Sequence, residues 1–407
     1  MSQNIGVPSV GPLSGVTVVS LEQAVAAPYA TRQLADLGAR VIKVERPDGG
    51  DFARGYDHSV HGDSSYFVWL NRGKESLTLD LKNAEAQRIL HQLLINADVL
   101  VQNLGPGATT RLGLDVASLA NEYPQLIVCD VSGYGGTGPW RDRKAYDLLV
   151  QAEAGLLSVT GTGDEVARTG VSVADIAAGM FAYSGILTAL YVRATTGEVR
   201  PVSVSLFESL VEWVSQPAYY AHYGGAAPAR TGARHATIAP YGPFTAGDGG
   251  TVLLAVQNER EWRRLCDEVL ATPRLCDDPR FVTNPDRVTH RDELEAIIHA
   301  AIATMTADEL AHRLEGAGVA NARMNDVEAL WSHPVLAGRD RWREVRTPGG
   351  AIDALLPPAT LAGIEPQLGD VPGLAAHSRM ILRELGYTDE AVADLVTSGA
   401  TTVGPDH

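Results

Sequence analysis

The feature that most constrains this chain is the stretch 16–45. Val16 to Leu21 is short and rich in β-branched residues, as a strand is. Ala26 to Leu37 follows with helical spacing, and Pro28 is tolerated in its first turn. Gly38 ends the helix, and Arg40 to Glu45 reads as a second strand. A strand, helix and strand in roughly 30 residues make a βαβ unit, so the sheet it begins is parallel. Glu45 stands where a dinucleotide site would hold a ribose. The intervening turn, however, reads Gln23-Ala24-Val25-Ala26-Ala27-Pro28 and lacks the glycines that let a pyrophosphate approach the backbone. No nicotinamide cofactor is expected.

The pattern continues. Ser76 to Leu81, Asp98 to Gln102, Leu126 to Val131 and Val202 to Val204 are strand candidates, and Asn83 caps a helix over 84–96. Several strands run into Gly- and Pro-containing loops, where doubly wound sheets place ligands. Arg46, Arg72, Lys74, Lys82, Arg111, Arg143 and Lys144 lie beside these loops and as a set suit a polyanionic cofactor. The formal charge is −16, which argues against generic binding to nucleic acid or anionic membranes. An anionic ligand therefore needs a local cationic cluster.

A second landmark is 166–193. A short apolar approach delivers Asp175, and an uncharged run of 17 residues, 176–192, follows. Ile176, Met180, Tyr183, Ile186, Leu187 and Leu190 recur at three- and four-residue steps, which predicts a buried helix. The run is shorter than the roughly 20 residues of a membrane span, so no membrane is expected. Asp175 occupies the expected N-cap, either as a plain cap or as a carboxylate held ionised by the helix dipole and aimed at a ligand. Cys129, Cys266 and Cys276 are too far apart in sequence for a zinc or redox motif, so no metal is expected. The first eight residues lack the basic and apolar regions of a signal peptide, which points to the cytoplasm.

A shift to Gly, Ala and Pro over 223–243 marks a boundary. We expect a large domain from residues 1–222 completed by a return segment over 323–407, with a small α+β domain over 223–322. Within the last, 244–256 reads as a hairpin turning at Asp248-Gly249-Gly250, and helices follow at about 259–269, 290–303 and 306–317.

Six segments in order then carry a resemblance: Val-Ile-Lys-Val-Glu-Arg-Pro (41–47), Leu-Asn-Arg-Gly-Lys-Glu-Ser-Leu-Thr-Leu-Asp-Leu-Lys (70–82), Ala-Asp-Val-Leu-Val-Gln-Asn-Leu-Gly-Pro-Gly (97–107), Arg-Leu-Gly (111–113), Tyr-Asp-Leu-Leu-Val-Gln-Ala (146–152) and Ala-Asp-Ile-Ala-Ala-Gly-Met (174–180). Together they resemble the class III coenzyme A transferases, which include formyl-CoA and carnitine CoA transferases and α-methylacyl-CoA racemase. The resemblance implies an α/β fold: a Rossmann-like large domain whose parallel sheet is built from both chain ends, a smaller α+β domain, and two copies interlocked as a homodimer. It implies that coenzyme A meets Val25, Ala26, Arg46, Leu79, Asp80, Leu81, Lys82, Asn103, Leu104, Gly105, Arg111, Arg143, Lys144, Ala145 and Tyr146. It implies that Asp175 is the catalytic aspartate, attacking an acyl-CoA and then carrying CoA as a thioester to a carboxylic acid.

The racemase branch needs a histidine where this chain has Tyr146. Tyrosine is a poor proton carrier at neutral pH, so transfer is favoured over α-proton exchange or non-catalytic CoA binding. The tetraglycine loop of the formyl/oxalate branch is missing. In its place stand Arg234 and His235, which suggests an acceptor such as itaconate, mesaconate or citramalate whose distal carboxylate they pair with, and succinyl-CoA as donor. An ordinary hinge with a solvated arginine explains the same residues. The Gly-rich loop 133–138 is expected to cover the intermediates against water.

Overall fold

The computed structural model describes residues 11–366 and 368–404; the first eight residues, read above for a signal peptide, lie outside them. The chain forms two compact units, one from Met1–Ala154, Thr169–Val214 and Asp340–His407, the other from Gly155–Arg168 and Ser215–Arg339. The smaller unit is thus longer than the expected 223–322 segment at both ends.

The large unit is built on six strands: β1 (Thr17–Leu21), β2 (Arg40–Glu45), β3 (Lys74–Thr78), β4 (Val99–Gln102), β5 (Ile127–Ser132) and β6 (Val202–Ser205). They pair in the order β3-β2-β1-β4-β5-β6, every pair parallel. This is the order of a Rossmann sheet, which reverses direction between β1 and β4. The central strands are apolar at nearly every position because both faces are covered: Val18, Val19, Val99, Leu100 and Val101 are buried. One covering layer is α2 (Ala84–Ile95) with helices from the return segment, since Ile89, Leu90, Ile381, Leu382, Val392 and Leu395 share one apolar cluster with Val19, Ile42 and Leu77. Asn83 caps α2 through its side chain, as expected.

The sheet is not built from both chain ends. Residues 342–347 and 350–355 do form strands, but they pair with each other. The return segment reaches the sheet through hydrogen bonds along the free edge of β3. The Ser76 carbonyl accepts from the His377 amide at 3.0 Å, and the Ser76 and Thr78 amides donate to His377 Nδ1 and Ser378 Oγ at 3.1 and 3.2 Å. Residues 378–384 are helical, so they satisfy this edge with side chains and one turn of backbone, and no seventh strand forms.

The other layer is α1 (Ala26–Asp36) against α4 (Val173–Thr196), a 24-residue helix. Its buried face differs from the expected one. Ala174, Ala177, Ala178, Gly179, Ala182, Ile186 and Ala189 are buried, while Met180, Phe181 and Tyr191 are exposed. Small side chains let two backbones approach closely, so they take the inner face and leave the large ones outside. By length and composition α4 is apolar enough to cross a membrane. A Cβ on Gly179 would sit 2.6 Å from the Ala26 carbonyl oxygen. Gly179→Ala should therefore destabilise the protein by about 1–3 kcal/mol despite alanine's better helix propensity, read as a lower urea midpoint at unchanged slope.

In the small unit β7 (Tyr241–Thr245), β8 (Thr251–Ala255) and β9 (Ala320–Arg323) form an antiparallel sheet in the order β9-β8-β7. The β7–β8 hairpin turns at 246–250, where it was expected. Phe244, Trp262, Leu265, Phe281, Ile298 and Leu310 form the core under it.

Candidate active site

A cleft of about 710 Å³ opens at the carboxyl ends of β1 and β4, where the strand order reverses. Its volume suits an organic ligand. Of the residues expected to bind coenzyme A, Arg46, Leu79, Asp80, Leu81, Lys82, Leu104 and Arg111 line it. Arg46, Lys82 and Arg111 are exposed. Arg46 donates to the Gly50 carbonyl at 2.9 Å, and Lys82 and Arg111 have no ion pair among the described residues.

Three of the acids that also line the cleft, Glu22, Glu45 and Asp51, are neutralised from below; Asp48 and Asp80 line it too, with no ion pair among the described residues. Glu22 accepts from Lys74 at 2.7 Å and Lys43 at 3.3 Å, and Lys43 pairs with Asp51 at 2.9 Å, all four side chains buried. Burial alone would raise the pKa of Glu22, but Lys74 and Lys43 outweigh it and hold the group low. Burial pushes the Lys74 ammonium down to about 7 against the pull of Glu22. Glu45 is engaged from within: it pairs with Arg54 at 2.8 Å and accepts from Ser76 at 2.6 Å. Burial opposes its ionisation, yet Arg54 lowers its pKa to about 2. Two cations expected beside the ligand are therefore spent in the interior, Lys74 on Glu22 and Arg72 on Asp36 at 2.8 Å. The buried part of the negative floor is cancelled, and Arg46, Lys82 and Arg111 are left at the rim with Asp48 and Asp80.

The turn between β1 and α1 is held from both sides. Asn103 exchanges two hydrogen bonds with the Gln23 backbone, each 2.9 Å. Asp51 accepts the Ala24 amide at 3.0 Å and fixes Ala24 at φ 62°, a left-handed conformation that non-glycine residues rarely adopt. Val25 and Ala26 follow, buried at the start of α1. They, Asn103 and the exposed Gly105 stand outside the cleft lining.

Arg143, Lys144, Ala145 and Tyr146 lie outside it as well, ahead of α3 (Asp147–Glu153). Arg143 pairs with Glu153 at 2.8 Å and stacks 4.2 Å over Trp140. The glycine-rich loop is close-packed at its base. A Cβ on Gly133 would fall 2.3 Å from that of Ala145, the Gly135 amide donates to Ser132 Oγ at 3.0 Å, and Tyr134 meets Trp140 edge-on at 5.2 Å.

Asp175 stands in the first turn of α4 and is not its cap, because the helix begins at Val173. The capping carboxylate belongs to Asp147, whose Oδ1 accepts the amides of Ala174 at 2.8 Å and Asp175 at 3.4 Å. The Asp175 carboxylate itself makes no hydrogen bond among the described residues. It is not held ionised by the helix as expected: burial first, and then the neighbouring Asp147, push its pKa up to about 7. Tyr56 feels both this carboxylate and Asp51, which lines the cleft. Its phenol is pushed up to about 12 by partial burial and by the charges of Asp51 and Asp175, with Tyr146 also beside it. Sequence reasoning missed Glu22, Lys43, Asp51, Tyr56 and Gln151, and offered Asp147 only as orienting Tyr146 or the substrate or as capping the helix at 147–154. Asp147 and Gln151, four apart at a helix start, were the one legible signal among them.

In the small unit Arg234 is paired with Glu295 at 2.9 Å. His235 stacks on Tyr241 with ring centroids 5.2 Å apart, and its carbonyl accepts from Arg291 at 2.7 Å. The charge offered to a substrate carboxylate by Arg234 is thus already engaged. Among the described residues no group of three or more His, Cys, Asp or Glu side chains is arranged to hold a metal ion.

The family model described as CoA-transferase family III matches residues 13–378. The acetyl-CoA:oxalate CoA-transferase of Acetobacter aceti is 37% identical over 332 residues, 81% of this chain and 85% of that protein. The succinyl-CoA:glutarate CoA-transferase of Mus musculus is 34% identical over 396 residues, 96% of this chain and 90% of that protein. The crystal structure of a CAIB/BAIF family protein from Brucella suis superposes with a TM-score of 0.81 at 32% identity, covering 92% of this chain and 100% of the other.

Proposed function

The chain belongs to CoA-transferase family III and is a class III CoA-transferase; we propose that it moves coenzyme A from an acyl-CoA, succinyl-CoA foremost, to a dicarboxylic acid, with Asp175 as the covalent carrier. The observation that carries this reading is Asp175 itself: a carboxylate with no hydrogen-bond partner among the described residues, its pKa pushed up to about 7 by burial and by Asp147, and with its charge felt at Tyr56. A carboxylate stabilised by several donors is a weak base and a weak nucleophile. One stripped of them is more nucleophilic, while at neutral pH about half of it remains ionised.

In the proposed cycle one Asp175 oxygen attacks the thioester carbonyl, and the thiolate of CoA leaves with the electrons of the C–S bond. The thiolate then attacks the Asp175 carbonyl of the mixed anhydride, which forms the aspartyl thioester and frees the donor acid as its carboxylate. The acceptor carboxylate attacks this thioester, CoA leaves again, and its return to the acceptor's acyl carbon restores Asp175. No proton or external redox partner is needed. Arg46, Lys82 and Arg111 would take the phosphates of CoA. Removing one such exposed charge, as in Lys82→Ala or Arg111→Ala, should raise KM for acyl-CoA about five- to tenfold, an effect shrinking with salt, with the melting temperature unchanged.

Relatives named for oxalate and glutarate support a dicarboxylic acceptor, within which itaconate, mesaconate and citramalate are our first choices. The test is a panel: succinyl-CoA with each of these acids, glutarate, oxalate and monocarboxylic controls, the product CoA thioester identified by mass. Transfer to monocarboxylates alone would overturn the assignment. We read the working form as a dimer of intertwined copies, supported by the uncovered outer face of α4 with Met180, Phe181 and Tyr191. A cytoplasmic location agrees with three free, buried cysteines.

A further inference from the structure

The first turn of a helix offers backbone amides to any acceptor nearby. In α4 the Asp175 carboxylate, in that first turn, takes no hydrogen bond from them. Ser172 at the N-cap position makes no side-chain cap either. Asp147 Oδ1 takes the Ala174 and Asp175 amides from outside the helix. Its other oxygen, Oδ2, accepts from Gln151 Nε2 at 2.7 Å, and Gln151 Oε1 accepts the Thr169 amide at 3.2 Å. Gln151 is fully buried. One aspartate and one glutamine thereby tie both ends of the 169–174 approach to α3.

We propose that Asp147 is the positioning residue of the nucleophile: it withholds from Asp175 the backbone donors that would quench it, fixes the turn that aims it, and keeps a like charge beside it. The proposal rests on Asp175 being the nucleophile. It has a definite energetic sense. Donors to a carboxylate stabilise its charged form and lower its basicity, whereas a neighbouring anion and burial do the reverse. Asp147 supplies the first effect by occupation and the second by charge. The titratable groups facing Asp175 are Asp147 from α3 and Tyr56 from the loop after β2, and Tyr146 faces Tyr56 in turn. A tyrosine pushed up to about 12 is neutral throughout the working range, so Asp147 is the group whose charge Asp175 senses there.

Asp147→Asn tests this. Its amide oxygen still accepts the Ala174 amide, so the cap survives, while the charge and the hydrogen bond from Gln151 Nε2 are lost. The acid limb of kcat/KM for acyl-CoA, expected near pH 7 for the unaltered protein, should move about one unit lower. The plateau of kcat should drop several-fold, with KM for acyl-CoA within twofold. If Asp147→Asn does not fold, Asp147→Ser, which keeps an oxygen acceptor and no charge, reads the same limb. An unmoved limb with reduced kcat would mean that Asp147 only holds the helix, and the proposal would be wrong. The control separates the two readings. In Asp175→Ala mixed with succinyl-CoA, no CoA adduct should form. An adduct that persists there removes the nucleophile, and the positioning role falls with it whatever the limb does.

Discussion

Asp175→Ala should bind acyl-CoA with a KM close to that of the unaltered protein and turn it over at least about 10³-fold more slowly, the scale on which removing a nucleophile acts. Intact-mass spectra of the native chain after brief mixing with succinyl-CoA should show a CoA-sized addition that one carboxylic acid discharges. The variant should show none. Its fold can be checked by a sign argument. A carboxyl whose pKa rises from the ordinary 3.8 to about 7 on folding costs the native state stability once the pH exceeds the unfolded value, and the penalty grows until the folded pKa is passed. Relief of that penalty means Asp175→Ala melts no lower than the unaltered protein at pH 8. A lower melting temperature at pH 8 would attribute its inactivity to damage. Turnover within tenfold of normal would eliminate the aspartyl carrier.

Lys43→Met should be the costliest single change to stability. The ammonium lies fully buried between Asp51 at 2.9 Å and Glu22 at 3.3 Å, and a methionine leaves Asp51 buried without its cation. Breaking a buried pair from one side costs about 3–5 kcal/mol, visible as a large fall in the denaturant midpoint. The loss reaches the site, because Asp51 also holds the Ala24 amide. The turn ahead of Val25 and Ala26 should loosen, and KM for acyl-CoA should rise in whatever fraction still folds. Lys82→Ala is the contrast: similar charge removed at the rim, weaker binding, no loss of stability. A Lys43→Met protein as stable as the original would show that the buried network is not a structural support.

The parts of this molecule legible in its sequence are those written in local patterns. The βαβ start, the parallel sheet and the 244–256 hairpin follow from periodicity and turn chemistry over a few residues each. The cleft cations Arg46, Lys82 and Arg111 were legible as charges beside strand ends. Which cations face inward was not, because Lys74 differs from Lys82 only in meeting Glu22, fifty-two positions away in the chain. The inner face of α4 was misjudged for a related reason. Hydrophobicity alone points the largest apolar residues at the core, but the close approach of α1 admits only Ala and Gly there. The role of Asp147 depends on amides 27 and 28 residues downstream, and no spacing rule reaches that far.

The edge of β3 has a consequence for how the chain is made. Thr78 is translated early, yet its hydroxyl bonds Thr402, 324 positions later, and its amide waits for Ser378, 300 positions later. At about 5–20 residues per second, that interval lasts roughly 15–60 seconds on a ribosome. Throughout it, five other strands can assemble beside an edge whose final partner does not yet exist. Such an edge is open to pairing with another nascent chain, so the yield of native protein depends on how that waiting strand is shielded as well as on the stability of the finished sheet.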